Sequence, residues 1–503
     1  MQRTVRSRLC AVTPVILATM LVGCALDTRM PKPDTRLPTS FEAASAQGAG
    51  DASALDRWWL LFNDGQLTDL IEQSLVSSPD ARSAVARIKE ANADFREVVF
   101  GYLPQGDFKG AATAEHVTTK YQNVNDPILQ QFLVGFSNAG NDKLYSGGLN
   151  VSWELDLFGR DFTAIRAARA DYAAQRFDYE ATRMSLAAAV ATQLFQARGL
   201  AIQLADAKDN ARLARQLAEV GIKKADIGIG TTADSARLEA DAIALDAQAA
   251  QTDALLKGAI RSLLVLIGRG ADPSASLTIE AAAAPPPAVP ATAPGDVLAR
   301  RPDVREAEAR VRSAAGRLKL DKLAILPTFT LQPSYQYSQQ QAQFTTITTT
   351  GAAGVGVTVP FLSIPKLLAE VKAQGARGEQ AVIAYEKAVQ TAYGDAEKGL
   401  TTLQADEFRV GLLKTATDKS RFAYDAARKG YDLGLTDTTT LVQAEQLWRQ
   451  TRATYTAAAT ASLVDAVATF KALGGGWPAS VPNQKFGSIK DETRDELLVR
   501  KGH

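Results

Sequence analysis

Pro79-Asp80-Ala81-Arg82-Ser83-Ala84-Val85-Ala86-Arg87 returns as Pro302-Asp303-Val304-Arg305-Glu306-Ala307-Glu308-Ala309-Arg310, and Leu103-Pro104 returns as Leu326-Pro327. Both pairs are 223 residues apart, so no insertion separates the two landmarks within either copy. A second match sets Ala225-Asp226-Ile227-Gly228-Ile229 against Tyr431-Asp432-Leu433-Gly434-Leu435, at a spacing of 206 residues. Self-similarity on this scale marks an architecture built by duplication, so the unit is read before the whole. In the first copy, helical signals run from near Trp58 to about Phe100 and stop at Gly101-Tyr102-Leu103-Pro104. Strands follow to about Phe158, then a long Ala-rich helix from about Asp161 to Lys224, a turn at Gly228-Ile229-Gly230 and a returning helix to about Ile267. The second copy keeps the order: helix from Pro302, stop at Pro327, strands to about Phe361, long helix from Lys366, turn at Gly434, helix to about Leu473.

This order predicts a signal peptide at 1–23, a lipidated linker at 24–54, repeat unit 1 at 55–270, a Pro/Ala linker at 271–295, repeat unit 2 at 296–476 and a tail at 477–503. Arg3, Arg6 and Arg8 precede an apolar run from Ala11 to Val22, too short to span a bilayer as a helix but suited to an export signal. Leu21-Val22-Gly23-Cys24 has the form of a bacterial lipobox, which would make Cys24 the acylated first residue of the mature chain; ordinary signal cleavage beside an incidental cysteine is the alternative. Cys10 leaves with the signal, so the mature chain has no second cysteine for an internal disulfide.

Val382, Tyr385, Val389, Ala392, Ala396, Gly399, Leu403, Asp406, Val410 and Leu413 recur in steps of three and four, a coiled-coil seam with one polar member. Leu186, Val190, Leu194, Ala197, Ala201 and Leu204 trace a looser seam in copy one. A helix of about 63 residues would be roughly 95 Å long, which suits a bundle or tube rather than a compact domain. Tyr145, Gly147, Leu149, Val151, Trp153, Leu155 and Leu157 alternate with Ser146, Asn150, Ser152, Glu154 and Asp156, while Phe329, Leu331, Tyr335 and Tyr337 alternate with Thr330, Gln332, Ser334 and Gln336. An apolar face with aromatics opposite a polar face fits a membrane barrel with a wet lumen; a half-buried sheet of a soluble protein would show the same alternation. Four strands per chain fall short of the roughly eight a membrane barrel needs, and lipid forbids open edges, so a trimer pooling its strands is the simplest closure.

Lys and Arg number 56 against 55 Asp and Glu, a net charge of +1 that offers no footprint for nucleic acid. The mature chain holds two histidines, His116 and His503, around which no metal cluster or catalytic triad assembles. Gly228-Ile229-Gly230 follows a helix and precedes no Gly-Lys-Ser/Thr, so it reads as a helix-hairpin turn rather than a phosphate loop. The sequence therefore predicts neither an enzyme nor a cofactor.

Trp59 with Phe62 and Asp64, Ser78-Pro79-Asp80, Trp153-Glu154-Leu155-Asp156-Leu157-Phe158-Gly159-Arg160, Arg301-Pro302-Asp303-Val304-Arg305 and Ala472-Leu473-Gly474-Gly475-Gly476-Trp477, in that order, resemble the TolC-like outer-membrane efflux factors of the lipoprotein subgroup called NodT. The resemblance covers about residues 24 to 477. It implies a mixed α and β fold: a trimeric outer-membrane β-barrel, four strands per chain, continued by a long periplasmic α-helical barrel. It further implies a passive duct that docks a periplasmic adaptor and an inner-membrane pump, of the resistance-nodulation-division type. Type I protein secretion shares the fold, and a structural coiled-coil envelope lipoprotein would share the anchor and coils. Ala25 after the cysteine resembles lipoproteins sorted to the outer membrane. By the same resemblance the hairpin tips, Gly228 with Ile229 and Gly434 with Leu435, meet the adaptor, and the gate lies beside them. Asp234 and Tyr431 match positions that the resemblance pairs in a latch between neighbouring hairpins; a helix cap near Thr232 is the alternative for Asp234. Thr440 and Gln443 stand where some relatives carry two acids, a departure that argues against a strong cation ring at the constriction.

Overall fold

The computed structural model describes residues 29–43, 47–48, 52–118, 126–128, 139–282, 284–341 and 345–477. The signal peptide, Cys24 and the tail beyond Trp477 lie outside the described residues.

The first helical stretch is broken into three pieces: a 3-10 helix at Ala52–Phe62, α1 at Gly65–Ser77 and α2 at Pro79–Gly101. A continuous helix from Trp58 to Phe100 was the expectation, and local chemistry explains the breaks. Asn63 takes a φ of 49°, a left-handed conformation that its short amide side chain tolerates. Asp64 then caps α1 by accepting the Leu67 N–H at 3.0 Å. Ser78 is extended, at φ −59° and ψ 137°, as a residue preceding proline tends to be.

Strands β1 (Gln105–Thr118) and β2 (Ala139–Leu155) follow, then α3 (Arg160–Asp226) and α4 (Thr232–Leu266). The second copy opens with a short α5 (Pro294–Arg300) and continues with α6 (Pro302–Leu323), β3 (Thr328–Gln341), β4 (Thr345–Thr358), α7 (Ile364–Asp432) and α8 (Thr438–Ala472). The long helices are 67 and 69 residues, and the turn into α3 is made by Gly159 at φ 74° with Asp156 accepting the Arg160 N–H.

Glu90–Ala173 and Ala309–Ile383 belong to one compact unit, which holds the sheet. The sheet is antiparallel in the order β1-β2-β3-β4, leaving β1 and β4 as its edges. Register aligns the apolar positions across strands: Phe108 pairs with Leu149 and Leu149 with Tyr335, and Trp153 pairs with Leu331, itself opposite Val355. That face is open in the single chain, with Phe108 75%, Tyr335 55% and Val355 68% exposed. The opposite face carries Asp107, Asn150 and Ser334 in one row. The β2–β3 ladder lapses at Val151 and Ser152, opposite Pro333, which has no N–H to give.

Pro33–Lys89, Ala174–Glu308 and Ala384–His503 form the second unit, which holds the tips and the main core. Its cluster joins Trp58 and Ile71 to Leu194 of α3, Leu263 of α4, Leu400 of α7 and Phe470 of α8. Residues before the 3-10 helix run along α7, where Glu386 accepts the Asp34 N–H, Glu397 accepts those of Glu42 and Ala43, and Phe41 stacks on Tyr393. Gln47–Gly48 pairs in parallel with Val289–Pro290, so the Pro/Ala stretch is pinned at that point, with Val289 buried.

Candidate functional site: the hairpin tips

Both hairpins close in the same way. Gly228 and Gly434 adopt φ of 76° and 74°, and the residue after each donates back into the last helical turn: Ile229 to Lys224 O at 2.9 Å, Leu435 to Gly430 O at 2.7 Å. This pair of left-handed glycine closures satisfies carbonyls that a helix end would otherwise leave open. The next helix begins at once, capped by Thr231 in the first hairpin and Asp437 in the second. Thr231 accepts the Asp234 N–H at 3.0 Å and its hydroxyl reaches the Asp234 carboxylate at 2.7 Å. Asp437 accepts the Thr440 N–H at 2.8 Å, and its hydrogen bonds to Thr440 hold the Asp437 carboxyl below its usual range. Thr231 and Asp437 are 206 residues apart, as are Asp234 and Thr440, so the duplicated cap has exchanged its Thr and Asp.

Tight turns of this kind leave their apolar side chains without cover. Ile227 and Ile229 are each 70% exposed, Leu433 74% and Leu435 77%. Thr440 and Gln443 are exposed in the first turns of α8.

Within the chain, Tyr431 and Asp234 do not bond each other. The Tyr431 hydroxyl accepts from Lys224 Nζ at 2.8 Å, and the same ammonium lies 4.4 Å from the ring centroid. Tyr431 is tied instead to a lysine of α3. Asp234 is engaged in the cap of α4, whose N-cap residue is Thr231, just before the first helical residue Thr232.

Behind the tips, charged pairs join α8 to the first hairpin. Arg452 reaches Asp206 of α3, and Arg449 lies 3.4 Å from Asp241 of α4 and 4.0 Å from Glu445 on its own helix. Burial pushes the Glu445 and Asp206 carboxyls up, against the pull of Arg449 and Arg452. Tyr424 stacks on Trp448 at 5.0 Å, and Arg428 donates to its hydroxyl at 3.1 Å. The Arg452–Asp206 and Arg449–Asp241 links carry no motif, because each joins residues on helices distant in sequence.

The motif residues that looked most distinctive sit elsewhere. Trp59, Phe62 and Trp477 pack in apolar or aromatic contacts, Asp64 pairs with Arg198, and Arg301 pairs with Asp303 and Asp395. Their work is packing rather than chemistry.

The profile of outer membrane efflux proteins matches residues 70–269 and 293–476. The chain belongs to the outer membrane efflux protein family. It is an efflux protein of the outer membrane. This efflux protein is 25% identical over 472 residues to the pyoverdine export outer membrane protein OpmQ of Pseudomonas aeruginosa, covering 92% of this chain and 96% of that one. Its fold is similar to that of the outer-membrane channel OprN, with a TM-score of 0.75 at 24% identity over 90% of this chain and 100% of the other. The Campylobacter jejuni CmeC outer membrane channel is similar at TM-score 0.77 and 19% identity, over 90% and 95% of the two chains. Among the described residues no helix of the efflux protein is long and apolar enough to cross a membrane.

Proposed function

We propose that three copies of the efflux protein close one duct, pooling four strands each into a barrel in the outer membrane. The observation that carries this reading is the sheet: its apolar face is exposed across all four strands, and among the described residues β1 and β4 are its edges, each with one neighbouring strand. Lipid cannot satisfy those backbone groups, whereas the next copy can. Light scattering in detergent is expected to give three chains per particle. A stable monomer that retains its full sheet signal overturns the pooled barrel.

Cys24 is the lipid anchor in this reading, at the head of a linker from 24 to 54. Intact mass of the mature chain is the check, and an unacylated product beginning elsewhere removes the anchor while leaving the barrel. Ile227, Ile229, Leu433 and Leu435 offer apolar knobs to a periplasmic adaptor, through which the duct meets an inner-membrane pump of the resistance-nodulation-division type. Passive export is the function supported best, because the exposed apolar sheet face suits a shared barrel and the exposed tips suit docking.

Lys224 and Tyr431 are the proposed gate tie, taking the place of a Tyr431–Asp234 latch. A charge-assisted hydrogen bond of this kind contributes about 1.5–3 kcal/mol when partly shielded, and threefold symmetry repeats it. Tyr431→Phe keeps the ring beside the ammonium and removes the hydrogen bond; Lys224→Met removes both. Single-channel conductance in planar bilayers is expected to rise in Tyr431→Phe and further in Lys224→Met, with trimer stability unchanged. The double variant should match Lys224→Met, since one link is lost in both. Wild-type conductance in both single variants removes the tie from the gate.

A further inference from the structure

The two faces of the sheet divide their charges unequally at the end away from the helices. Glu115 stands directly opposite Asp142 across β1 and β2, and both belong to the polar face with Asp107 and Asn150. Lys143, the next residue along β2, therefore projects from the apolar face, where Ala114 is its partner on β1 and Gln341 on β3. It is exposed and makes no ion pair among the described residues. His116, also exposed, lies two residues beyond Ala114 on the same face, within diagonal reach of a long side chain. Among the described strand residues, this rim of the apolar face carries no acid.

Height decides what lies beside Lys143. In the proposed barrel the sheet end that continues into α3 and α7 faces the periplasm, so Lys143 belongs to the outer end. Along β2 the apolar face runs from Leu155 through Trp153 and Leu149 to Tyr145. At about 3.4 Å per residue and a tilt of about 40°, that stretch rises roughly 26 Å, against an apolar band of about 25 Å for such barrels. Tyr145 and Tyr337, both exposed, stand near its outer limit, where aromatic girdles meet the interface. Lys143 is then about 5 Å further out, at the level of the headgroups. A lysine facing hydrocarbon is strongly disfavoured, but one at this level keeps its ammonium among polar groups.

We infer that Lys143, with His116, Tyr145 and Gln341 around it, holds the phosphate of a lipid in the outer leaflet of the outer membrane. An unneutralised ammonium among hydroxyl, amide and imidazole groups suits an oxyanion, and the apolar face beneath it suits that lipid's acyl chains. Threefold symmetry places three such sites around the closed barrel. The inference rests on the barrel proposed above and names the lipid chemistry that its outer rim selects.

Native mass spectrometry of the purified trimer in detergent, with diphosphorylated lipid A as the probe, tests it. Up to three lipids per trimer are expected, and Lys143→Gln should weaken binding about five- to tenfold. Lys109→Gln should bind as wild type does, since Lys109 lies on the polar face and pairs with Asp107. Phosphatidylcholine should bind more weakly than lipid A, and inorganic phosphate should not displace the lipid. Equal binding by Lys143→Gln, equal binding of phosphatidylcholine, or displacement by inorganic phosphate overturns the site. The barrel is read separately, by brominated acyl chains in reconstituted vesicles, which should quench the fluorescence that Trp153→Phe removes. Quenching together with any of those three results overturns the phosphate site and leaves the barrel standing, whereas absence of quenching overturns both.

Discussion

Trp58→Ala is expected to lower stability by about 3–5 kcal/mol, the range for truncating a buried aromatic. Trp58 is fully buried, stacks on Phe470 at 5.6 Å and 8°, and meets Trp59 and Phe62 edge-on, both at 5.9 Å. Aromatic pairs add about 0.5–1.5 kcal/mol beyond area burial, so the loss exceeds that of an isolated side chain. The surrounding backbone is moulded to the indole: a Cβ on Gly475 would lie 2.9 Å from Trp58 Cδ1 and 3.1 Å from Leu55 O, which leaves little room for collapse into the cavity. Among the described residues, Trp58 Nε1 is buried without a hydrogen-bond partner. Trp58→Phe therefore sheds an unsatisfied donor along with volume, and should cost less than half as much. Thermal unfolding followed by helical circular dichroism in detergent is the measurement. Equal losses in the two variants would show that shape, rather than stacking and burial, governs the site. Because the same cluster receives α3, α4, α7 and α8, a softened core loosens the helices that carry both tips.

The helices and strands were legible because each announces itself by local period. Val389, Ala392 and Ala396, chosen from the seam by spacing alone, are at most 1% exposed, and Leu186, Val190, Leu194 and Ala197 are buried likewise. At the next step Leu400 is fully buried beside Gly399, where Thr469 comes too close for any side chain. The alternation through Trp153 and Tyr335 did locate one apolar face, since period two survives pairing. What escaped reading was long-range. Gln47–Gly48 finds Val289–Pro290 with no pattern in either segment, and Lys224 finds Tyr431 across 207 residues. Asp234 leaves two readings open in the sequence, a latch and a helix cap. Thr231-Thr232-Ala233-Asp234 carries a capping signature in plain view, yet two adjacent threonines left the start ambiguous by one residue.

Asp64→Ala should prove as damaging as the loss of Trp58, about 3–5 kcal/mol, because it strands a buried cation. Asp64 caps α1 and also takes a two-pronged contact from Arg198 of α3, whose guanidinium further donates to Gln66 Oε1 at 2.9 Å. The Arg198 and Asp64 side chains are only 11% and 15% exposed, so water cannot replace the missing carboxylate well. Asp64→Asn keeps the cap acceptor and the shape while removing the charge, and should fall between wild type and alanine. Arg198→Met in the Asp64→Ala background should recover part of the loss, since the stranded charge goes with it. The pair also sets a pH response. Burial pushes the Asp64 carboxyl up, but the hydrogen bond from Arg198 and the Leu67 N–H together outweigh it and hold the carboxyl below its usual value. A carboxyl depressed in the folded state stabilises fully above its unfolded pKa of about 3.9, and the contribution is lost as pH falls from there through the folded value. Wild-type unfolding should therefore steepen below about pH 4, while Asp64→Asn lacks this component. Parallel pH profiles for the two proteins in that window would remove Asp64 from the acid response and leave it only the role of a helix cap.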